Sequence, residues 1–245
     1  MDSNKKTARF AGILYLIIIV CAGFSEGYVR SNLILVPGDA TATANNIMAF
    51  EWIFRIAFAS DLIAFLSDIG MAVLLYVLLK PVSKTLSLMA AFFRLAQTAI
   101  LGINLLNHFT PLLLLSGADY LTVFETDQLH ALVMLFLNAH TYGYLISGVF
   151  FGLHCFVLGY LLFKSDYFPR IFGVLLIFAS FGYLTDCFTN FLLPDYAAIT
   201  EWLVVATAVI AELSFAFWLL LKCVNVQKWD ARTSESAKTD INEIK

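Results

Sequence analysis

Six long apolar runs, parted by short polar or turn-rich segments, constrain this chain more than anything else in it. They cover roughly residues 8–29, 56–79, 86–115, 140–163, 168–193 and 202–222. Crossing the hydrocarbon core of a bilayer takes about 20 mostly apolar residues in helical form, and each run meets that length. Of the 245 residues, 60% are hydrophobic and 13% charged, and the mean hydropathy is +0.83. Soluble domains average about 45–50% apolar and about 25% charged residues. A chain this apolar could not cover a water-soluble globule with polar side chains, which argues against a cytosolic single-domain enzyme. The formal net charge of −3 argues against a nucleic-acid partner. Cys21, Cys155, Cys187 and Cys223 have neither CxxC spacing nor a disulfide framework and read as small hydrophobes.

The pattern predicts an all-α fold: a six-helix transmembrane bundle over residues 1–224, followed by a polar tail, 225–245, expected to fray. Pro37-Gly38-Asp39 signals a turn and Thr43-Ala44-Asn45-Asn46 a helix start. Residues 46–55 read as an extension of the second helix, and the third and fifth loops (116–128 and 194–201) as short and acidic. Orientation follows from Lys and Arg. With both termini in the cytoplasm, twelve of these residues fall on the inner side and only Arg30, Arg55 and Arg94 do not. The first run starts basic, but no A-x-A site follows it, so it reads as a retained helix and not a cleaved leader.

Several phrases carry a family likeness. One runs from Asn32 through Val36-Pro37-Gly38-Asp39-Ala40-Thr41-Ala42-Thr43-Ala44-Asn45-Asn46-Ile47. Others are Phe150-Phe151-Gly152-Leu153, Leu158-Gly159-Tyr160-Leu161, Lys164-Ser165, Phe168-Pro169-Arg170, Gly182-Tyr183-Leu184 and Glu212-Leu213. From about residue 7 to about residue 224 the chain resembles the multi-pass membrane family catalogued as domain of unknown function 4386. The resemblance implies a bacterial inner-membrane protein. It carries no reaction and no functional residue, so candidates rest on physics alone.

Ionisable groups inside membrane helices cost about 2.5–3.5 kcal/mol at the centre and usually face a protein interior or an aqueous path. Counting along the helices places Asp68, His154 and Glu212 near the midplane, Arg94 in the inner half, and Asp61 near the outer surface. Asp61 and Asp68 are two turns apart on one face. Arg94, Gln97, Asn104 and His108 form a polar stripe along the third helix. Asp68 and Arg94, at similar depth on adjacent helices, are expected to pair, which on its own would only fix helix registry. Glu212 has no basic neighbour in sequence, which marks it as the group to be protonated or to move. His154 alone reads as a hydrogen-bonded core residue first and a relay second.

Glu26/Arg30 and Glu51/Arg55 have the i, i+4 spacing of exposed helical ion pairs and read as interfacial trim. Gly23/Gly27 and Gly148/Gly152 have Gly-x-x-x-Gly spacing, which permits close helix approach within the chain or in a homo-oligomer. No HExxH, Gly-x-Ser-x-Gly or phosphate loop occurs, so no catalytic residue, metal or cofactor is assigned. The leading expectation is binding or transport of a small ligand or protons through a polar cavity that uses Asp68, Arg94, His154 and Glu212, with Gln97, Asn104 and His108 beside them. Membrane lipid and an unidentified small ligand are the expected partners. Two other readings stay open: an intramembrane enzyme acting on lipid through Asp186, His108 and His140, and a purely structural or accessory protein.

Overall fold

The computed structural model describes residues 3–243, with side chains placed over residues 4–236. Ile244 and Lys245, at the end of the expected tail, lie outside the described residues. The helices are α1 (Ser3–Ala22), α2 (Ala40–Ala49), α3 (Glu51–Leu79), α4 (Lys84–Leu114), α5 (Thr126–Lys164), α6 (Arg170–Leu192), α7 (Ala197–Leu221) and α8 (Val226–Glu243). No strand occurs among the described residues. α1 runs on without a break into a π-helical segment, Gly23–Ile34. Among the described residues six helical stretches are long and apolar enough to cross a membrane: Asn4–Ile34, Glu51–Leu79, Lys84–Leu114, Thr126–Lys164, Arg170–Leu192 and Pro194–Leu221.

Local chemistry sets the boundaries. Gly38 takes a φ of +78° in the turn before α2, and the Asp39 carboxylate caps that helix by accepting from the Ala42 amide at 2.8 Å. Phe50, at φ −116° and ψ 29°, ends α2, so of the residues expected to lengthen the second span 51–55 do so as the start of α3, whereas 46–49 close a separate helix ahead of it. α5 starts well before the expected fourth span, because no Gly or Pro interrupts the chain between Thr126 and Tyr142. Within the polar tail, Val226–Glu243 form α8. Asn225 accepts from the Lys228 amide at 3.2 Å, and the Trp229 indole N–H donates to the Leu78 carbonyl at 2.9 Å. The Tyr167 hydroxyl donates to the same carbonyl, also at 2.9 Å. That oxygen lies in the last turn of α3, where carbonyls lack helical partners.

The surface is inverted relative to a water-soluble protein. Ile103 and Leu192 are 72% and 73% exposed, while Asp61 and His108 are 0% exposed. Apolar side chains outward and charges inward is the arrangement of a chain surrounded by lipid. This is a multi-pass membrane protein.

Contacts divide the chain into two compact units. The first comprises the residues up to Leu16, Ser67–Gln97 and everything from Ser147 on. Its packing depends on close backbone approach. A Cβ on Gly159 would stand 2.7 Å from the Gly173 carbonyl of α6, and one on Gly12 the same distance from the Leu220 amide of α7. Gly148 and Gly152 face Cys187 and Leu184 of α6, so that Gly-x-x-x-Gly face is used within the chain. Phe215 is the hub of an aromatic cluster with Tyr15, Phe168 and Phe172.

The second unit comprises Ile17–Leu66 and Thr98–Ile146. Its core is Val29, Ile34, Ala44, Ile47, Phe54, Ala57, Leu112, Val133 and Leu137. A Cβ on Gly23 or Gly27 would meet nothing within 4 Å among the described residues.

Candidate functional site

In the first unit, Asp68 on α3 and Arg94 on α4 pair directly. Arg94 Nε donates to Asp68 Oδ1 at 2.8 Å, and Nη2 donates to the same oxygen. Arg94 Nη1 faces His154 Nε2 of α5 at 3.2 Å, and His154 Nδ1 faces the Ala90 carbonyl at 2.8 Å. Guanidinium nitrogens only donate and a carbonyl only accepts. His154 therefore accepts at Nε2 and donates at Nδ1, which is a neutral imidazole with its tautomer set by its neighbours. Arg94 also lies over two rings, 5.5 Å from the centroid of Tyr15 and 5.4 Å from that of Phe151. Glu212 of α7 accepts from the Tyr183 hydroxyl of α6 at 2.6 Å; Tyr15 and Arg94 lie close to the same carboxylate. An apolar recess on α3, α4 and α5 that touches His154 is too small to hold a water.

The second unit holds a cluster of the same chemistry. Arg30 Nη1 donates to Asp61 Oδ2 at 2.6 Å and faces His108 Nδ1 at 2.8 Å. Ser25 donates to the other Asp61 oxygen. His108 Nε2 faces the Phe54 carbonyl at 3.3 Å, so this imidazole is neutral by the same logic. Arg30 Nε donates to Glu26 at 2.7 Å, and Nη2 reaches the Tyr144 hydroxyl at 3.4 Å. Each unit thus combines one Arg, one Asp, one neutral His and one Tyr. The stretch containing α1 and its π-helical continuation, α3, α4 and α5 supply one each: Tyr15, Asp68, Arg94 and His154 in the first unit; Arg30, Asp61, His108 and Tyr144 in the second.

The π-helical winding explains how Ser25 and Arg30 share a carboxylate. The Leu35 amide bonds to the Arg30 carbonyl five residues back, at 3.0 Å, the i→i+5 pattern that stacks residues five apart. On an α-helix residues five apart diverge by about 140°, too far to meet on one Asp.

The expected α4 stripe is divided between the units. Arg94 and Gln97 belong to the first; Asn104 and His108 belong to the second. The buried Gln97 Oε1 has no hydrogen-bond partner among the described residues. Asn104 donates to the His140 carbonyl at 2.8 Å and accepts from Asn107 at 2.9 Å. Asp186, named with His108 and His140 for lipid chemistry, belongs to the first unit and accepts from Thr200 at 2.7 Å and from Asn190 at 3.2 Å. Glu51/Arg55 is the exposed pair its spacing suggested. Glu26/Arg30 is a pair too, but Arg30 is buried, so the reading as surface trim is corrected. Among the described residues no three His, Cys, Asp or Glu side chains are grouped to hold a metal ion.

Residues 10–223 match the model of the family described as Domain of unknown function (DUF4386). The chain belongs to the DUF4386 family. It is also 34% identical over 155 residues to an uncharacterized protein of Archaeoglobus fulgidus, a match covering 63% of this chain and 76% of that relative. No solved structure matches it.

Proposed function

We propose that this DUF4386 member is a binding or transport protein of the bacterial cell membrane, and that the buried centre of its first unit binds and releases a proton. The reading is carried by a count of charges. Among the described residues Arg94 is the centre's one cation, and it donates two hydrogen bonds to Asp68, which balances it. His154 is neutral by its tautomer. Glu212 is then a second carboxylate at the centre, hydrogen-bonded by the Tyr183 phenol and close to the same Arg94 that Asp68 already balances. An unbalanced carboxylate is expensive in a low-dielectric interior and is relieved by taking up a proton. The closed Asp68–Arg94 pair favours a scaffolding role for those two residues, which leaves Glu212 as the exchanging group and Tyr183 as its hydrogen-bonding neighbour.

The inner-membrane placement, with both termini in the cytoplasm, rests on the twelve-to-three Lys and Arg distribution. Reconstitution into liposomes that enclose a pH-sensitive dye tests the function. An imposed potential should drive proton flux through the native protein and not through Glu212→Gln. Equal flux through both would remove Glu212 from the reading.

A further inference from the structure

The second unit contains a recess of about 30 Å³ lined by Glu26, Arg30, Ser31, His140 and Thr141, together with apolar side chains. Three observations there point to a ligand. Glu26 takes the Nε and Nη2 edge of Arg30 with a single oxygen, at 2.7 Å and 2.5 Å. That edge is the fork by which arginine receives carboxylates and phosphates bidentately. Glu26 is also the accessible member of the pair, with its side chain 43% exposed whereas that of Arg30 is 7% exposed. Finally, the buried His140 ring lines the recess, packed beside the rings of His108 and Tyr144.

We propose that this recess is a binding site for a phosphate group, and that Glu26 occupies it as a displaceable internal stand-in. Asp61 already balances Arg30 from the opposite side through Nη1, so Glu26 is surplus to the pair. Exchanging its carboxylate for a singly charged phosphate leaves the net charge of the cluster unchanged, and the exposed Glu26 can turn outward into a polar medium. The remaining lining groups suit a phosphate better than a carboxylate. Besides the guanidinium fork, His140, Ser31 and Thr141 line the same space, and the Ser31 hydroxyl, which donates to the Glu26 carbonyl at 2.9 Å, would have to turn from it to serve a ligand. The Thr141 hydroxyl is only weakly engaged, 3.3 Å from the Leu137 carbonyl. Such a donor set serves three or four oxygens. Free phosphate and the phosphodiester of a lipid headgroup present the same chemistry.

Removing the stand-in separates this proposal from a purely structural cluster. The full chain in detergent would be titrated with inorganic phosphate by equilibrium dialysis, and with short-chain phosphatidylglycerol by the shift in melting temperature. Glu26→Gln should tighten binding by about fivefold, the size expected for displacing a part-exposed ion pair. Arg30→Lys, which keeps the charge and loses the fork, should weaken it more than tenfold. Should Arg30→Lys fail to fold, His140→Phe leaves the Arg30 pairs intact and should also weaken binding. Saturable binding of inorganic phosphate would assign the free ion, and binding of phosphatidylglycerol alone the lipid headgroup. Unchanged or weaker binding of both probes to Glu26→Gln would overturn the proposal, as would no binding of either.

Discussion

Arg94 donates from Nε and Nη2 to a single oxygen of Asp68, and both side chains are almost wholly buried. A guanidinium held this way is tied to α3 at one end and to the His154 imidazole at the other. Asp68→Asn leaves that cation without its counter-charge, and breaking a buried pair costs about 3–5 kcal/mol. Melting temperature in detergent should fall sharply. Replacing Arg94 by Met in the same chain should recover part of the loss, and the double-mutant cycle should give a coupling well above the ~0.5 kcal/mol of independent sites. Simple additivity would mean that the contact carries no stability.

Gly143 on α5 faces the Asn104 amide so closely that a Cβ would overlap it. Gly143→Ala should displace Asn104 from the His140 carbonyl and destabilise the second unit by about 1–3 kcal/mol. Thermal unfolding measures this directly. A Gly143→Ala protein as stable as the native one would show that Asn104 moves away freely.

Tyr167 lies in the connection between α5 and α6, and burial pushes its phenol above the usual tyrosine range. A group that holds its proton more tightly when folded adds stability that is complete below its unfolded value, about pH 10. That stability declines as the pH rises past this point. Stability should therefore fall between pH 9 and pH 11, and fall less in Tyr167→Phe. The variant should begin about 1 kcal/mol lower, having lost its hydrogen bond to the Leu78 carbonyl. Parallel pH profiles for the two proteins would contradict the assignment.

Reporter fusions test the orientation. Fusions at Gly38, Ala118 and Ala197 should report the outside, and fusions at Ser83, Asp166 and Ser236 the cytoplasm. One reversed loop would break the Lys and Arg assignment.

The spans and the Asp68–Arg94 pair were legible in the sequence for simple reasons. Long apolar runs leave few alternatives to a membrane helix, and an unlike pair of charges at similar depth on adjacent helices has few other partners. Arg30 was not legible. Its burial depends on the π-helical winding of Gly23–Ile34, whereas counting at about 100° per residue presumes an α-helix throughout. The partners of Glu212 escaped for a different reason. Tyr15 and Tyr183 count as apolar in a hydropathy reading, and the hydroxyl that makes each of them useful is visible only once the chain is folded. The early start of α5 was hidden by acidic residues around Thr126, which resemble a loop but suit the first turn of a helix.

The central claim is that Glu212 carries an exchangeable proton, and infrared difference spectroscopy tests it most directly. Spectra of the native protein and of Glu212→Gln would be compared as the pH is stepped from 5 to 9. The native protein should give a protonated-carboxyl band that the substitution removes, with little change in melting temperature, because Gln keeps the shape of the neutral acid and still accepts from Tyr183. Superimposable carboxyl regions, together with a marked loss of stability in the Gln variant, would mean that Glu212 is permanently ionised and paired, and the proton-binding account would be contradicted.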